Sequence, residues 1–265
     1  MQAGQKVIHR QRPELGIGII QSLDSRDICD VQFERARFSH IAVQQLAPAQ
    51  ALASGAATVP ASIRGLSPQD QLHNAMQRYR MPVLWHITSR DNVPSMVRHG
   101  LLSRHLMYRH GLPLTDISDR VVQERRAGRH GCLPHSLHDY VPLYLRARNP
   151  MLFCRRRYNQ ALCLVAIDPA VMLDSEFAIT DGNAASWGTR FYGRLSDLRL
   201  LDWEALNCEY WNSVVDGKRK RCAEVLIHER VAPGYITGVY AASQESCQLL
   251  QEQGIAAQHA PEKFF

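Results

Sequence analysis

A stretch of small and turn-forming residues, "APAQALASGAATVPASIRGLSPQ" at residues 47–69, divides this sequence into two unequal parts. It is rich in Ala, Ser, Pro and Gly, which is the composition of a flexible linker. A chain of 265 residues is long enough for one large domain and a small one. We therefore predict a small domain over residues 1–48, a linker over 49–69 and a main domain over 70–265.

The segment before the linker contains several short strand-like runs. Turn or bulge residues such as Gly16, Gly18 and the pair Asp24-Ser25 separate them. Four or five strands within so few residues predict a small β-barrel, and the segment resembles the SH3-like and Tudor-like folds. The predicted strands cover residues 5–9, 16–22, 30–34 and 38–43.

The main segment mixes strands with helices. Ser67 and Pro68 resemble an N-cap followed by proline at the first helical position, which predicts a helix to about Tyr79. Gly100 and Gly254 predict the ends of two more helices. Strands at the start, middle and end indicate an α+β fold rather than repeated βαβ units. These strands are predicted at "VLWHITS" (83–89), "LCLVAI" (162–167), "EVLIHE" (224–229) and "ITGVYAAS" (236–243).

Composition limits the partners and the compartment. The net charge is +6, and most of the cations are arginine, which forks onto phosphates and stacks on flat rings, so a polyanionic partner is favoured. Seven scattered cysteines without a CxxC pair indicate buried thiols in a reducing compartment. The N-terminus lacks the apolar stretch of a signal peptide, and no apolar run reaches membrane-spanning length. We expect a cytoplasmic protein without a membrane partner.

The stretch "LHDYVPLYLRARNPMLF", residues 137–153, combines strand-forming aromatics with arginines around two prolines. Pro142 and Pro150 cannot donate a ladder hydrogen bond, so neither suits the middle of a central strand. Two interpretations stay open on this stretch alone. One is an edge strand protected by charges, and the other is a strand lining a cleft for a flat, anionic ligand.

Two further strands carry polar residues that suit a ligand site. Glu224 follows the cationic run "GKRKR" and shares a strand face with apolar residues, where cations can stabilise a half-buried carboxylate. In "WHITS", His86 and Thr88 share one face just before a polar turn into a helix. The alternatives are a strand-end ion pair for Glu224 and a buried core histidine for His86.

Arginines and aromatic residues are interleaved in the region of residues 140–158. Five arginines and no acidic residue lie between Arg146 and Arg157. This mixture suits single-stranded nucleic acid, whose bases are free to stack, and the alternative is a solvated basic face.

Other chemistry finds little support. The histidine-rich run "HGCLPHSLHD", residues 130–139, matches no familiar zinc module, so no metal is predicted. The sequence contains no GxGxxG, P-loop or GxSxG motif.

Six segments of the main domain carry a further signal: "LWHITSRDNVPSMVRHGLLS", "QERRA", "HDYVPLYLRARNPMLF", "TDGNAASWGTRFYGRLSDLRLLDWEALNCEYW", "KRKRCAEVLIHERVAPGYI" and "KFF". Together they resemble one family, the DarT toxins, which are bacterial enzymes that ADP-ribosylate single-stranded DNA with NAD. The resemblance spans about residues 83–265. It implies the α+β ADP-ribosyltransferase fold, a split central β-sheet with helices around a cleft for NAD, here preceded by the small all-β SH3-like barrel.

The resemblance also implies roles for individual residues. Glu224 would be the catalytic glutamate of the last motif, His86 the histidine of the first, and Tyr144 a residue beside nicotinamide. The "QERRA" stretch would supply a catalytic arginine; Arg125 and Arg126 both fit, and Arg126 is favoured.

The implied chemistry is consistent with these residue types. Nicotinamide leaves the ribose through an oxocarbenium-like state, which a nearby carboxylate such as Glu224 stabilises. Arginine cannot be a base because its guanidinium stays protonated, so proton removal from the acceptor base falls to Glu224 or water. We predict that Arg126 acts electrostatically on the NAD pyrophosphate or the base carbonyl. Thr88 and Asn92 are predicted to assist His86 in binding NAD.

The resemblance implies single-stranded DNA as the acceptor, with RNA as the alternative, and a macrodomain protein that removes ADP-ribose as a partner. The other alternative is a non-catalytic nucleic-acid-binding protein on a degenerate transferase fold. Residues 182–220 are predicted to recognise the acceptor. The predicted nucleic-acid contacts are Arg146, Arg148, Arg155, Arg156, Phe191, Tyr192, Trp211, Lys218 and Arg219.

Overall fold

The structure is a computed structural model, and it describes residues 1–9, 18–24, 28–33, 37–43, 46–48, 66–127 and 133–265. The chain divides into two compact units, Met1–Arg64 and Gly65–Phe265. Most of the predicted linker lies outside the described residues, as do His130 and Cys132 of the histidine-rich run.

The first unit contains a five-stranded antiparallel sheet, with strand order β4-β3-β2-β1-β5. Val7, Ile20 and Val31 are buried at its centre. The predicted all-β segment is therefore present, and its SH3-like closure into a barrel stays a prediction. The strands are β1 (Lys6–His9), β2 (Gly18–Leu23), β3 (Ile28–Phe33), β4 (Arg37–Ala42) and β5 (Leu46–Pro48).

The second unit is built around one eight-stranded sheet with helices, which confirms the predicted α+β fold. The sheet order is β11-β10-β12-β8-β6-β9-β14-β15, and β7 pairs with β13 separately. The strands are β6 (Leu84–Ser89), β7 (Leu101–Leu102), β8 (Tyr140–Tyr144), β9 (Leu162–Ile167), β10 (Phe177–Thr180), β11 (Phe191–Tyr192), β12 (Glu224–His228), β13 (Arg230–Val231), β14 (Ile236–Ala241) and β15 (Ala257–His259).

Local sequence signals set the ends of several helices. Ser67 accepts a hydrogen bond from the backbone of Asp70, with Pro68 in the first turn, so α1 begins at the predicted position. Gly100 ends α2 with a φ of +85°, and a Cβ there would collide with the carbonyl of Val231. The α-helices are α1 (Pro68–Arg78), α2 (Val93–His99), α3 (Arg104–Arg109), α4 (Arg120–Ala127), α5 (Pro150–Arg155), α6 (Val171–Asp174), α7 (Trp203–Asn207), α8 (Gly217–Lys220) and α9 (Gln244–Glu252).

Short 3₁₀ helices connect these elements. None of the helices in the described part of the chain has both the length and the apolar character of a membrane span. The 3₁₀ helices are Arg90–Asn92, Leu137–Asp139, Arg156–Ala161, Leu195–Leu200, Trp211–Ser213, Pro233–Tyr235 and Pro261–Lys263.

The large sheet is split between β6 and β8. Strand β8 pairs with β12 along its length, whereas the described pairing of β6 with β8 consists of Trp85 opposite Tyr144. Pro142 lies in the middle of β8, and its carbonyl faces β6, where it contacts His86. The N–H and C=O groups of one strand residue point to the same side, so the donor that proline lacks would face the split. The edge-strand interpretation is therefore wrong, because β8 is an interior strand beside a cleft.

Candidate active site

Glu224 begins β12 and lies directly opposite Tyr144 on β8, the strand that borders the split of the sheet. Its relative exposure is 1%. The backbone N–H of Glu224 donates to Oγ1 of Thr180, 2.9 Å away, which joins the start of β12 to the end of β10. The backbone on both sides therefore fixes the position of this carboxylate.

Two donors hold the Glu224 carboxylate. The backbone N–H of Ala184 donates to Oε1 over 3.0 Å, and Nη1 of Arg126 donates to Oε2 over 3.2 Å. Only 8% of the Arg126 side chain is exposed, so this is a buried ion pair. A buried carboxylate is stable when it is paired and hydrogen-bonded in this way.

Arg126 differs from its neighbour Arg125, although both lie on α4. Arg125 is exposed at the cavity, whereas Arg126 is buried against Glu224. Nη2 of Arg126 is buried and has no hydrogen-bond partner among the described residues. Because a buried guanidinium donor is costly to leave unpaired, Nη2 is ready to bind an oxygen acceptor of a ligand.

A cavity of about 650 Å³ opens at the split of the sheet. Its volume lies within the roughly 300–1,000 Å³ typical of ligand pockets. Glu224 is absent from the wall, whereas Arg126 and Asn183 belong to it, so the carboxylate lies one layer below the cavity surface. The predicted residues that line this main cavity are His86, Thr88, Asn92, Arg125, Arg126, Tyr144, Arg155, Lys218 and Arg219.

His86 is held in one orientation by the neighbouring strand. Its Nδ1 lies 3.0 Å from the carbonyl oxygen of Pro142, which can only accept, so Nδ1 is the protonated nitrogen. Burial lowers the pKa of His86, although the hydrogen bond to Pro142 opposes this shift. The neutral ring therefore has an unprotonated Nε2 that can accept a hydrogen bond.

Asn92 fixes the loop that forms one wall of the main cavity. Its amide nitrogen donates to Thr88 Oγ1 and to the carbonyl of Thr115, and its Oδ1 accepts the N–H of Thr115. Its hydrogen-bonding groups are thus used within the protein. Tyr144 is partly exposed, and burial, with the charge of Glu224, raises the pKa of its phenol well above the ordinary value. It therefore presents a neutral hydroxyl.

Sequence reasoning misses two parts of this site. The backbone N–H of Ala184 carries no sequence signal of its own, although the segment "TDGNAAS" that contains it belongs to the DarT-like motifs. His138 lines the cavity and lies 2.9 Å from Gln123 on α4, but the sequence places it in a histidine-rich run without a predicted role. Burial and the charges of Arg104 and Arg126 lower the pKa of His138 to about 4.

The predicted nucleic-acid residues lie in different places. Arg148, Trp211 and Lys218 line a second cavity beside the first. Arg146 lies outside both cavities and donates to Asn207 and to the carbonyls of Leu145 and Tyr79.

The remaining predicted nucleic-acid contacts are scattered over the second unit. Phe191 and Tyr192 form the edge strand β11, where they pack partly into the core. Arg156 covers the ring of Phe153, at 4.0 Å from its centre. Arg219 is held by Asp181 and Asp216.

Three possible metal ligands lie together in the described chain. The potential ligand atoms of His135, Glu176 and His228 are within 4.8 Å of one another. The two imidazole rings are stacked, with centres 4.1 Å apart and planes 14° apart. Ring-nitrogen lone pairs lie in the ring planes, so these stacked rings do not converge on one ion. The expectation of no metal stays a prediction.

Comparisons with known proteins agree on one family. The family model described as ssDNA thymidine ADP-ribosyltransferase, DarT, matches residues 85–264. A DNA ADP-ribosyl transferase–DNA ADP-ribosyl glycohydrolase fusion protein of Thermosipho africanus is 32% identical over 65% of this chain and 46% of its own length. A DNA ADP-ribosyl transferase of Thermus sp. is 30% identical over 61% of this chain and 81% of its own length. The chain thus spans about half of the fusion protein and most of the Thermus relative.

Solved structures show the same fold. DarTG of Thermosipho africanus in complex with ADP-ribose has a TM-score of 0.62 and 30% identity, over 69% of this chain and 51% of that chain. DarT of Thermus sp. 2.9 in complex with ADP-ribosylated ssDNA has a TM-score of 0.63 and 23% identity, over 70% of this chain and 97% of that chain. The family model covers most of the second unit, from β6 to the C-terminal 3₁₀ helix, and the chain therefore belongs to the DarT family.

Proposed function

We propose that this protein transfers ADP-ribose from NAD to a thymine base of single-stranded DNA and releases nicotinamide. The observation that carries this proposal is the buried Arg126–Glu224 pair at the split of the sheet, within a domain of the DarT family. The proposed reaction uses no metal ion. The relatives described above come from bacteria, and we place the protein in the cytoplasm, where such cells hold both NAD and DNA.

Glu224 would stabilise the reacting ribose. The bond between ribose C1 and the nicotinamide nitrogen breaks, and its electron pair leaves with nicotinamide. Positive charge then develops on the ribose, and a fixed carboxylate stabilises that charge without reorganisation. Hydrogen bonds from Ala184 and Arg126 fix the Glu224 carboxylate before the substrate binds.

Arg126, rather than Arg125, would be the catalytic arginine. Its Nη1 positions Glu224, and its buried Nη2 has no hydrogen-bond partner among the described residues. That donor suits an oxygen of the NAD pyrophosphate or a carbonyl of the acceptor base. Arg125 is exposed, so its contacts are open to water.

The acceptor atom follows from thymine chemistry. In thymidine, N3 is the ring nitrogen that carries a proton, and it is an imide. When N3 bonds to ribose C1, its proton must leave. Arginine cannot accept this proton, so the group that takes it up is the Glu224 carboxylate or water.

The opposite wall of the cavity would bind NAD. His86 presents an acceptor nitrogen that matches a ribose hydroxyl, and Asn92 and Thr88 hold the loop beside it. Tyr144, with its neutral hydroxyl, would lie beside nicotinamide.

A second protein would reverse the modification. The Thermosipho relative is named as a fusion of transferase and DNA ADP-ribosyl glycohydrolase, which supports a toxin–antitoxin pair. Expression of this chain alone should stop bacterial growth, and co-expression of a DNA ADP-ribosyl glycohydrolase should restore it. Normal growth with active, unopposed protein would refute the toxin role.

The direct test combines the protein, NAD and oligonucleotides, with mass spectrometry of the products. A DNA oligonucleotide with one thymine should gain a single ADP-ribose, and a matched oligonucleotide without thymine should not. An RNA of the same sequence tests the alternative acceptor. Unmodified DNA, with intact fold and bound NAD, would refute the proposed function.

Glu224→Gln is the matched control for this test. It removes the charge but keeps the size, so transfer should be lost while the fold is kept. Glu224→Ala is less suitable, because it removes the side-chain oxygens as well as the charge and leaves the buried Arg126 guanidinium beside an empty space. Wild-type transfer by Glu224→Gln would remove Glu224 from the mechanism.

A further inference from the structure

A second cavity of about 670 Å³ lies beside the main one. The two share Pro150, Cys154 and Lys218 on their walls. The second cavity is built from α5, from residues 207–212 after α7, and from the C-terminal residue Phe265. The two cavities are therefore neighbours, and a ligand longer than NAD could occupy both.

Aromatic rings form one side of the second cavity. Phe153, Trp211 and Phe265 contact one another edge to face, with centres 5.3–5.8 Å apart. Arg148 lies over Phe265 at 4.6 Å, and Arg156 lies over Phe153 at 4.0 Å. This packing fixes the rings in place, as a platform for stacking requires.

Tyr210 extends this aromatic side toward solvent. It also lines the second cavity, and 69% of its surface is exposed. Its exposed ring is therefore accessible to a ligand in this cavity. Tyr210 and Trp211 both line this cavity, and aromatic rings are the groups on which nucleobases stack.

Cations form the other part of the wall. Arg148, Lys218 and Arg221 line the second cavity, and Glu209 is the carboxylate on its described wall. None of the three cations forms an ion pair among the described residues. The charge of the cavity is therefore positive.

Arg221 is the most constrained of these cations. It is 8% exposed, and it donates to the backbone carbonyls of Arg148, Leu206 and Cys208. Carbonyl dipoles orient the guanidinium but do not neutralise its charge. A buried cation with no carboxylate partner in the described chain favours an anion nearby.

We propose that the second cavity binds the nucleotide next to the acceptor thymidine. Its base would stack on Trp211 and Tyr210, and its phosphate would lie near Arg148 and Arg221. Lys218 borders both cavities, where the phosphate between the two nucleotides would pass. The proposal rests on the proposed function and adds to it a determinant of the sequence context in which a thymine is modified.

The test uses full-length protein and a set of single-thymine DNA oligonucleotides. In each, one position next to the thymine is replaced by an abasic site, which keeps the phosphates but removes the base. With wild-type protein, an abasic site on one side should lower transfer roughly 5- to 100-fold, as expected for the loss of one stacked base. The side that responds identifies the direction of the strand.

The same oligonucleotides are then tested with Trp211→Ala and Tyr210→Ala. Both variants should modify the intact oligonucleotide less well, and the abasic site should cause little further loss. Tyr210 is mostly exposed, so its variant tests the proposal even if Trp211→Ala does not fold. Tyr158→Ala is the matched control, because Tyr158 is exposed and lines neither cavity.

The outcomes separate this inference from the proposed function. If wild-type protein modifies thymine but ignores abasic sites on both sides, the second cavity is no base-binding site. The proposal would also be overturned if the abasic site lowered transfer by the same factor in wild type and in the Tyr210→Ala variant. If no oligonucleotide is modified, the proposed function fails and this inference fails with it.

Discussion

At the scale of single residues, the two adjacent arginines of α4 are expected to behave differently. Arg126→Lys keeps the charge but loses the planar fork in which Nη1 holds Glu224 while Nη2 is left for a substrate oxygen. Transfer to DNA should fall about 100-fold, the usual effect of losing one fixed donor at a transition state. Arg125→Lys is the matched control and should change the rate by less than about 3-fold. Equal losses in the two variants would contradict the assignment.

His86 predicts a pH dependence of NAD binding. Its pKa is lowered from 6.5, so Nε2 is an acceptor at neutral pH and becomes a donor only below 6.5. The KM for NAD should therefore rise, up to about 10-fold, as the pH falls from about 8 to about 5. His86→Asn keeps a donor for Pro142 but lacks Nε2, so its KM should be high and nearly independent of pH.

The lowered pKa of His86 also makes folding stability depend on pH. Below pH 6.5, the unfolded chain binds a proton at His86 that the folded chain does not bind, so stability is lost as the pH falls. His138 acts in the same direction, with its pKa at about 4.

For the KM measurement, His135→Asn is the control, because His135 lies outside the cavity. A wild-type KM for NAD in the His86→Asn variant would refute the role of Nε2.

The sequence predicts roles for Glu224 and His86 because both stand in motifs, but both Arg125 and Arg126 fit the catalytic arginine, with Arg126 only favoured. Neighbouring residues on a helix point about 100° apart, and only tertiary packing decides which of them reaches β12. Arg146 illustrates the same limit. Its position among arginines and aromatics predicts a nucleic-acid contact, but its donors bind Asn207 and backbone carbonyls.

At the scale of elements, the loop between β10 and β11 supplies the Ala184 donor, and Arg219 holds this loop. Nη1 of Arg219 lies 2.7 Å from Asp181, and its backbone carbonyl accepts the N–H of Asn183. Gly182 lies so close to the Arg219 side chain that a Cβ would collide with it. We therefore predict that Arg219 is a positioning residue that acts through the loop on Glu224.

This role predicts a specific kinetic effect. Arg219→Met should loosen the loop and lower kcat for NAD cleavage about 10-fold, with little change in the KM for NAD. Asp181→Asn should have a similar effect, and the double variant should be no worse, because both remove one interaction. Arg157→Met, which alters an arginine outside both cavities, is the control. A purely additive double variant would contradict the shared role.

The four strands predicted with bounds in the second unit agree with β6, β9, β12 and β14 to within two residues, and β9 matches "LCLVAI" fully. Its continuous apolar run is the signal of a strand buried on both faces. The two-residue strands β7 and β13 could not be predicted, since such short pairs carry no period and depend on tertiary contacts. Pro142 could not be interpreted from sequence, because a split between two interior strands is a property of the whole sheet.

At the scale of the whole molecule, all residues proposed to take part in the reaction belong to the second unit. Every described residue that lines the two cavities belongs to Gly65–Phe265, and this unit has its own large core. The first unit, Met1–Arg64, has a core of its own around Val7 and Ile20. The DarT family model begins at residue 85, so the first unit lies outside the family match.

Removal of residues 1–64 should therefore leave NAD cleavage nearly unchanged, since every proposed catalytic residue lies in the second unit. A small domain on a linker can raise the local concentration of substrate without taking part in the chemistry. If the first unit contacts DNA, its removal should weaken binding to single-stranded oligonucleotides. The dependence on salt should also become shallower, by about 0.7 in the logarithmic slope for each phosphate that the shorter chain no longer neutralises.

Binding isotherms at several salt concentrations, for the full chain and for residues 65–265, measure both effects. The rate of NAD cleavage in the same preparations shows whether the shorter chain is folded. A steeper slope for the full chain would place phosphate contacts in the first unit. If the two sets of curves overlap while NAD cleavage is equal, the first unit serves something other than nucleic acid, either protein docking or a purely structural role, since a strand that it does not bind cannot be concentrated near the cleft.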